Sequence, residues 1–325
     1  MKKIFILFTL LLALLPGFLK AQQRLQVSQY MMNNFLENPA FAGKDQYSEA
    51  IVGYRNQWTG LADAPKTLFA SVQGRFGQGN SSLASRGRVD NGFNNDHKPA
   101  HAWGVIMSSD KFGPTTYNSF FVTYAYHLPI SKKLYASVGV SPGVINYVID
   151  GNKLNLPEKS IDNAISFQRL SVIKPDINVG ATLYGKNFYV GVSSYQLLRN
   201  KIYDAAISDE HSMRVHYNIT GEVRFKKNDY SFMPSFLVKY VRGAPLTGDL
   251  AFRVGYKNII WVGLSYRTED AFAVLLGYNI TNNFYVGYSY DYTISPLTNF
   301  NKGSHEIMLA FKFGRSSHSG SKPAF

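Results

Sequence analysis

Cysteine is absent from the 325 residues, which removes disulfide frameworks, zinc–cysteine clusters and thiol nucleophiles from consideration. Charge is scarce too. Asp, Glu, Lys and Arg make up 17% of the chain against 45% hydrophobic residues, a balance that excludes a disordered polyelectrolyte. Beyond the first residues no apolar run approaches the roughly 18 positions that a transmembrane helix needs. What is plentiful is aromatic surface, with 22 Tyr and 23 Phe.

Lys2 and Lys3 precede an apolar run from Ile4 to Leu15, which is broken by Pro16 and Gly17, and Ala21 stands before Gln22 and Gln23. This is the layout of an export signal, too short to span a bilayer, so residues 1–21 are expected to be removed and the mature chain to start at Gln22. Loss of Lys2, Lys3 and Lys20 takes 34 basic residues to 31 against 21 acidic ones, leaving a net charge of +10. In an exported protein that balance points to anionic lipid headgroups or acidic proteins, not to nucleic acid.

The remaining chain has period two. From Phe284 to Tyr292 one face carries Phe284, Val286, Tyr288, Tyr290 and Tyr292, and the other Tyr285, Gly287, Ser289 and Asp291. Leu250, Phe252, Val254 and Tyr256 likewise oppose Ala251, Arg253 and Gly255, and Ile177, Val179, Ala181 and Leu183 oppose Asn178, Gly180 and Thr182. A helix would mix these sets. Apolar and aromatic residues on one face, with small and polar ones on the other, describe a wall between lipid and water. A soluble β-sandwich also alternates, but its strands are shorter and do not place Tyr or Phe near nearly every strand end, as interfacial girdles do.

Such segments number about fourteen, beginning near Glu49–Asn56 and ending at Ser304–Phe313. The expected fold is all-β: a transmembrane antiparallel up-and-down β-barrel over 49–313, preceded by a plug-like segment, 22–48, and followed by a tail, 314–325. Connections after even-numbered segments are mostly short, such as Lys257–Asn258, while Val148 to Lys174 and Leu197 to Val215 follow odd-numbered ones. Outer-membrane barrels have short periplasmic turns and long outer loops, so the N-terminus and both barrel termini are expected to be periplasmic. Phe76 to Pro99 breaks the rule, being long and rich in Gly, Ser and Asn; it reads as a mobile linker or a docking segment.

Several short motifs then fall in one order. Gln29-Tyr30-Met31, Asn38-Pro39-Ala40-Phe41-Ala42-Gly43, Arg55-Asn56-Gln57-Trp58-Thr59-Gly60 and Ala64-Pro65-Lys66-Thr67 are followed by Asp110-Lys111-Phe112-Gly113-Pro114 and Tyr124-Ala125-Tyr126-His127-Leu128. Pro234 to Tyr240, Gly263 to Thr268, Gly287 to Asp291 and Gly303 to Ile307 complete the series. Across about Gln29 to Phe313 the chain resembles the PorP/SprF family of Bacteroidetes outer-membrane proteins. The resemblance implies a non-enzymatic component of the type IX secretion system. Its partners would be other secretion components and the C-terminal region of particular cargo proteins, gliding-motility adhesins among them, whose secretion or surface attachment it supports. Asp63, where the family more often has Gly, and the tail from Gly314 are departures.

Geometry limits what such a barrel conducts. Fourteen strands about 4.8 Å apart, tilted by about 40°, enclose a backbone diameter of roughly 28 Å. A folded domain of about 100 residues is roughly 34 Å across and will not pass, whereas a peptide or a helix about 10 Å wide would enter. The segment Gln22 to Gly43 interleaves Gln, Asn and Ser with Leu25, Val27, Tyr30, Met31, Met32, Phe35 and Leu36, and is expected to fold into the lumen or to cap the barrel end. Asn38-Pro39 makes its closing turn and Gly43 its exit into the first strand.

Candidate partner-binding or lumenal residues are therefore Asn38, Pro39, Gly43, Arg55, Gln57, Trp58, Lys239, Arg267 and Asp291. Arg55, Gln57, Trp58 and Arg267 either grip cargo or form an ion-pair and hydrogen-bond network that holds the barrel's shape. Lys239 and Asp291 are candidates to pair with each other or with Glu222. No cofactor is expected. The cluster Asp209-Glu210-His211-Ser212 lies in a long loop without visible support for catalysis, and His211 and His216 fall on different elements, which argues against a metal site. The alternative function is a passive diffusion channel for small or hydrophobic solutes, a reading that rests on fold analogy alone.

Overall fold

The computed structural model describes residues 25–45, 47–76, 99–153, 169–201 and 213–313. The expected leader 1–21, the segment 77–98, the cluster 209–212 and the tail from 314 lie outside the described residues. The wall consists of β1 (Ser48–Asn56), β2 (Lys66–Arg75), β3 (Ala100–Phe112), β4 (Thr115–Ser131), β5 (Leu134–Asp150), β6 (Arg169–Gly185) and β7 (Phe188–Tyr195). It continues with β8 (His216–Val223, resumed as Phe225–Lys227), β9 (Tyr230–Val241), β10 (Thr247–Tyr256), β11 (Ile260–Arg267), β12 (Ala271–Asn279), β13 (Phe284–Thr293) and β14 (Ser304–Phe313). The interruption of β8 keeps its register, Glu222 opposite Ser235 and Phe225 opposite Phe232, and falls beside Pro234, which offers no N–H.

Every strand pairs antiparallel with its neighbour in sequence, and the ring closes where Ser48 to Asn56 of β1 lie against Phe313 to His305 of β14. The result is a closed fourteen-stranded barrel. Closure follows from the solvent: hydrocarbon offers no hydrogen bonds, so a strand edge left open there would strand its N–H and C=O groups. Side chains separate by parity. Leu250, Leu264 and Phe272 are 62%, 67% and 54% exposed on the outside, whereas Ala251, Arg253, Ser265 and Ala273 are buried on the inside.

The expected strands are all present, but those of one side run longer. β4, β5 and β6 have 17 residues each, against eight in β7. At about 3.3 Å per residue these are roughly 56 Å and 26 Å along the strand. Their starts and ends are level at the tight turns Ser131–Leu134 and Gly185–Phe188, so the excess stands up at the opposite end. We call these the turn end and the loop end. Ser48 and Phe313, a register pair, put both barrel termini at the turn end.

Because the outer face is solvated by lipid chains, placing a guanidinium there is costly. Leu264→Arg, midway along β11, is expected to destabilise the barrel by about 2–4 kcal/mol in denaturant titrations of protein folded into phospholipid vesicles. Phe300→Arg in the loop after β13, equally exposed but beyond the wall, should cause no comparable loss.

Candidate functional site

The lumen is occupied by Leu25–Gly43. Its interleaved polar and apolar residues cannot form a strand with one dry face, and the segment instead folds as a 3-10 turn (Tyr30–Met32), one helical turn (Asn34–Glu37) and a second 3-10 turn (Pro39–Phe41). The last is set locally. The Asn38 side chain accepts the Ala40 N–H at 2.9 Å, Pro39 supplies its fixed φ, and Gly43 leaves at φ +64°. Val27, Gln29, Asn38, Ala40 and Ala42 are wholly buried.

A path this irregular leaves backbone groups without ladder partners, and inward side chains of the wall supply them. Glu306 accepts the N–H groups of Ser28 (2.8 Å) and Gln29 (3.0 Å). Ser193 donates to Glu37 O (2.7 Å), Tyr195 to Leu36 O (3.2 Å) and Arg75 Nε to Gly43 O (2.7 Å). His127 Nε2 lies 2.8 Å from Ala42 O, an atom that can only accept, so that nitrogen carries the proton. Asn38 Nδ2 reaches Ala181 O (3.2 Å) and Val192 O (3.1 Å), and a Cβ on Gly139 would collide with Pro39 and Ala40. A segment that touches β1 to β11, β13 and β14 by turns does so from within.

The direction of the segment differs from expectation. Gln26 Nε2 donates to Asp270 Oδ2 (3.1 Å) in the β11–β12 turn, at the loop end, and Gly43 N–H donates to Gln73 Oε1 (3.2 Å), near the turn end. The segment therefore descends the whole lumen. The described chain begins at the end opposite Ser48, not on the turn side where the connection lengths placed the N-terminus.

At the loop end an ion network clasps the segment. Arg55 Nη2 lies 2.8 Å from Asp291 Oδ2 and Arg55 Nη1 3.3 Å from Glu306 Oε2, all three side chains being buried. Arg267 contacts Asp249 (2.8 Å), Asp270 (3.2 Å) and Asp291 (3.5 Å). Ser28 joins the two arginines. Its hydroxyl donates to Asp291 (2.5 Å) and accepts from Arg55 Nη1 (2.8 Å) and Arg267 Nη2 (3.1 Å), which uses its one proton and both lone pairs. Toward the turn end Arg253 pairs with Glu222 (2.5 Å) and stacks on the Trp261 ring, 5.2 Å from its centroid.

Thus Arg55, Arg267 and Asp291 come together, while the other candidates disperse. Gln57 meets Gln26 through a long 3.4 Å bond, and half-buried Trp58 sits at φ 51° in the β1–β2 loop, its N–H on Ser304 Oγ (3.0 Å). Lys239 pairs with neither Asp291 nor Glu222; it faces Glu37 of the segment at 3.8 Å, where Asn218 also donates (2.9 Å). Glu222, a candidate partner for Lys239 and Asp291, pairs with Arg253 instead, and Ser28, Gln29, Glu37, Arg253 and Glu306 are not among the sequence candidates. For the wall members the available signal was a charge at an inward parity position, as Glu306 is between Ser304 and Met308.

Residues 19–311, most of the chain, match the family profile described as type IX secretion system membrane protein PorP/SprF. The chain belongs to that family. No curated protein matches it. Among solved structures this PorP/SprF protein is similar to the Ralstonia pickettii toluene transporter TbuX, at 9% identity over 88% of this chain and 93% of that one, with a TM-score of 0.50. It is also similar to the CymD monoaromatic hydrocarbon channel, at 11% identity over 90% and 94% of the two chains, with a TM-score of 0.50. At such identities the likeness shows the outer-membrane barrel fold. Family and fold are those of a secretion or transport barrel in the outer membrane.

The ion network makes one residue critical. Arg55→Ala leaves Asp291 and Glu306 buried without their shared cation and is expected to cost about 3–5 kcal/mol in unfolding titrations. Gln57→Ala, which removes only a long, partly buried bond, should cost less than about 1 kcal/mol.

Proposed function

We propose that this PorP/SprF protein is a plugged barrel that supports secretion and surface attachment of particular cargo proteins, gliding-motility adhesins among them, by binding their C-terminal region alongside other secretion components. The observation that carries the reading is the lumen filled by Leu25–Gly43 and fastened to wall strands around the ring. A diffusion channel needs a continuous water or solute path, and here buried arginines and carboxylates are spent on holding the segment. A folded cargo is in any case too wide for the cylinder. In this reading residues 1–21 are an export signal and outer-membrane lipid surrounds the barrel. Asn38, Pro39, Gly43, Arg55, Lys239, Arg267 and Asp291 retain the plug, Gln57 and Trp58 lie at the mouth beside its start, and cargo docks outside the lumen.

The turn end is assigned to the periplasm and the loop end to the cell surface, by the asymmetry of connection lengths. Asn299→Cys should then react with a membrane-impermeant maleimide on intact cells, and Lys132→Cys only after the outer membrane is permeabilised. The reverse pattern turns the molecule over.

In planar bilayers the purified barrel is expected to show no steady conductance. A steady, size-selective current from the intact chain would replace this reading with that of a passive channel. In cells, deletion of the gene should remove a defined subset of surface proteins while general type IX secretion continues. Barrel purified from native membranes should carry a cargo C-terminal region or a secretion component, and recovery of neither would end the proposal.

A further inference from the structure

Above Ile177, β6 has no neighbouring strand on one side among the described residues. The β6–β7 ladder pairs Val179–Tyr184 with Ser194–Tyr189. Past it, Leu197 N–H reaches Ile177 O (3.3 Å) and Asn200 Nδ2 reaches Pro175 O (2.6 Å). Above Pro175 no backbone partner on that side is present among the described residues. The cause is local. Gln196 and Arg199 take left-handed conformations, at φ 59° and 48°, and the Arg199 N–H folds back on Gln196 O (3.2 Å), so the chain leaves the sheet nine residues before β6 ends.

Which groups are left over follows from parity. The carbonyls of Ile177 and Pro175 point away from β5, so Ile173, Ser171 and Arg169 turn both N–H and C=O to the same open side. Their opposites on β5, Asn146, Val148 and Asp150, are non-hydrogen-bonded partners. Pro175, lacking an N–H, sits where a sheet edge tolerates it.

The edge is also outside the hydrocarbon. The last apolar outward row across the sheet is Met107, Phe120, Val144 and Pro175, and the next is Ser109, Asn118, Asn146 and Ile173. Ser171 Oγ donates to Asn146 there (2.9 Å), and the Ile173 side chain is 68% exposed. Two cations lie beside it. Arg169 is exposed on the edge itself, and the Asn200–Pro175 contact brings exposed Arg199 alongside. Arg214 bonds to the carbonyl of exposed Arg242 on the same rim.

We propose that Arg169–Ile173 of β6 accepts an extended, acid-bearing segment of the cargo's C-terminal region as an added strand, an assignment that rests on the cargo-binding reading above. Backbone bonds to Ser171 and Ile173 provide the affinity, and Arg169 and Arg199 favour carboxylates on the guest.

The test uses the full chain in detergent and a fluorescent heptapeptide of alternating valine and glutamate. Saturable binding is expected. It should weaken by at least about tenfold when Ser171→Pro and Ile173→Pro remove the outward donors, which takes no hydrogen bond from the β5 ladder. Arg169→Glu with Arg199→Glu, which leaves the backbone intact, should weaken this peptide and strengthen one with lysine in place of glutamate. Heat-modifiable mobility in gels checks that each variant is folded. Absence of saturable binding overturns the proposal, and so does binding indifferent to both pairs of substitutions.

In cells the edge variants should lose from the surface the same proteins that deletion of the gene removes. If deletion removes them and folded edge variants keep them, the edge assignment fails while cargo binding stands. If deletion removes none, the cargo reading itself fails.

Discussion

Hydrocarbon cannot hydrogen-bond, and the barrel is built around that fact. Every N–H and C=O of a strand in the bilayer has to find another strand, and only a ring provides two neighbours for each member. Closure between β1 and β14 is therefore the event that makes the other pairings tenable. It also assigns the faces. Leu250, Phe252 and Leu264 are exposed in a way that would be untenable in water, and are at home against lipid chains.

A ring of this size creates the opposite problem inside. Its inward positions carry Arg55, Arg253, Arg267, Glu222, Asp249, Asp291 and Glu306, and charges withdrawn from bulk water need partners and hydrogen bonds. The segment Leu25–Gly43 answers this while depending on it. Glu306 satisfies two of its backbone donors, Ser28 satisfies both arginines, and Glu37 accepts from Asn218 and faces Lys239. Neither the irregular backbone of the segment nor the crowded charges of the wall would be stable alone in a dry lumen.

The wall was legible in the sequence because its cause is local and repetitive: lipid on one side and a polar interior on the other impose period two on Leu250–Tyr256 or Phe284–Tyr292. The same cause explains what was missed. Beyond the lipid band no face of β4, β5 and β6 meets hydrocarbon, so Thr115–Asn118, Asn146–Asp150 and Arg169–Lys174 lose the alternation while their backbones go on pairing, and the strands outrun the pattern. In the lumen, composition identified the segment and its Asn38–Pro39 turn, which depend on neighbours in sequence. Its direction and partners did not follow. The bond from Ser28 to Glu306 joins positions 278 apart, and nothing near Lys239 signals that Glu37 will stand in front of it.

Closure also leaves a freedom that the chain uses unevenly. The ring has to be sealed only through the hydrocarbon, and above that level water satisfies whatever the strands leave open. β7 stops where sealing is complete, at Tyr195, whereas β6 continues upward with β5 on one flank and, among the described residues, no strand on the other. A soluble sheet usually blunts such an edge by shortening it or covering it. Here the edge carries Ile173, among the most exposed apolar side chains of the molecule, flanked by Arg169 and Arg199. With the lumen filled, the cargo recognition proposed above falls to the rim. Backbone groups that the membrane forbids one residue row lower are the ones free there to make it.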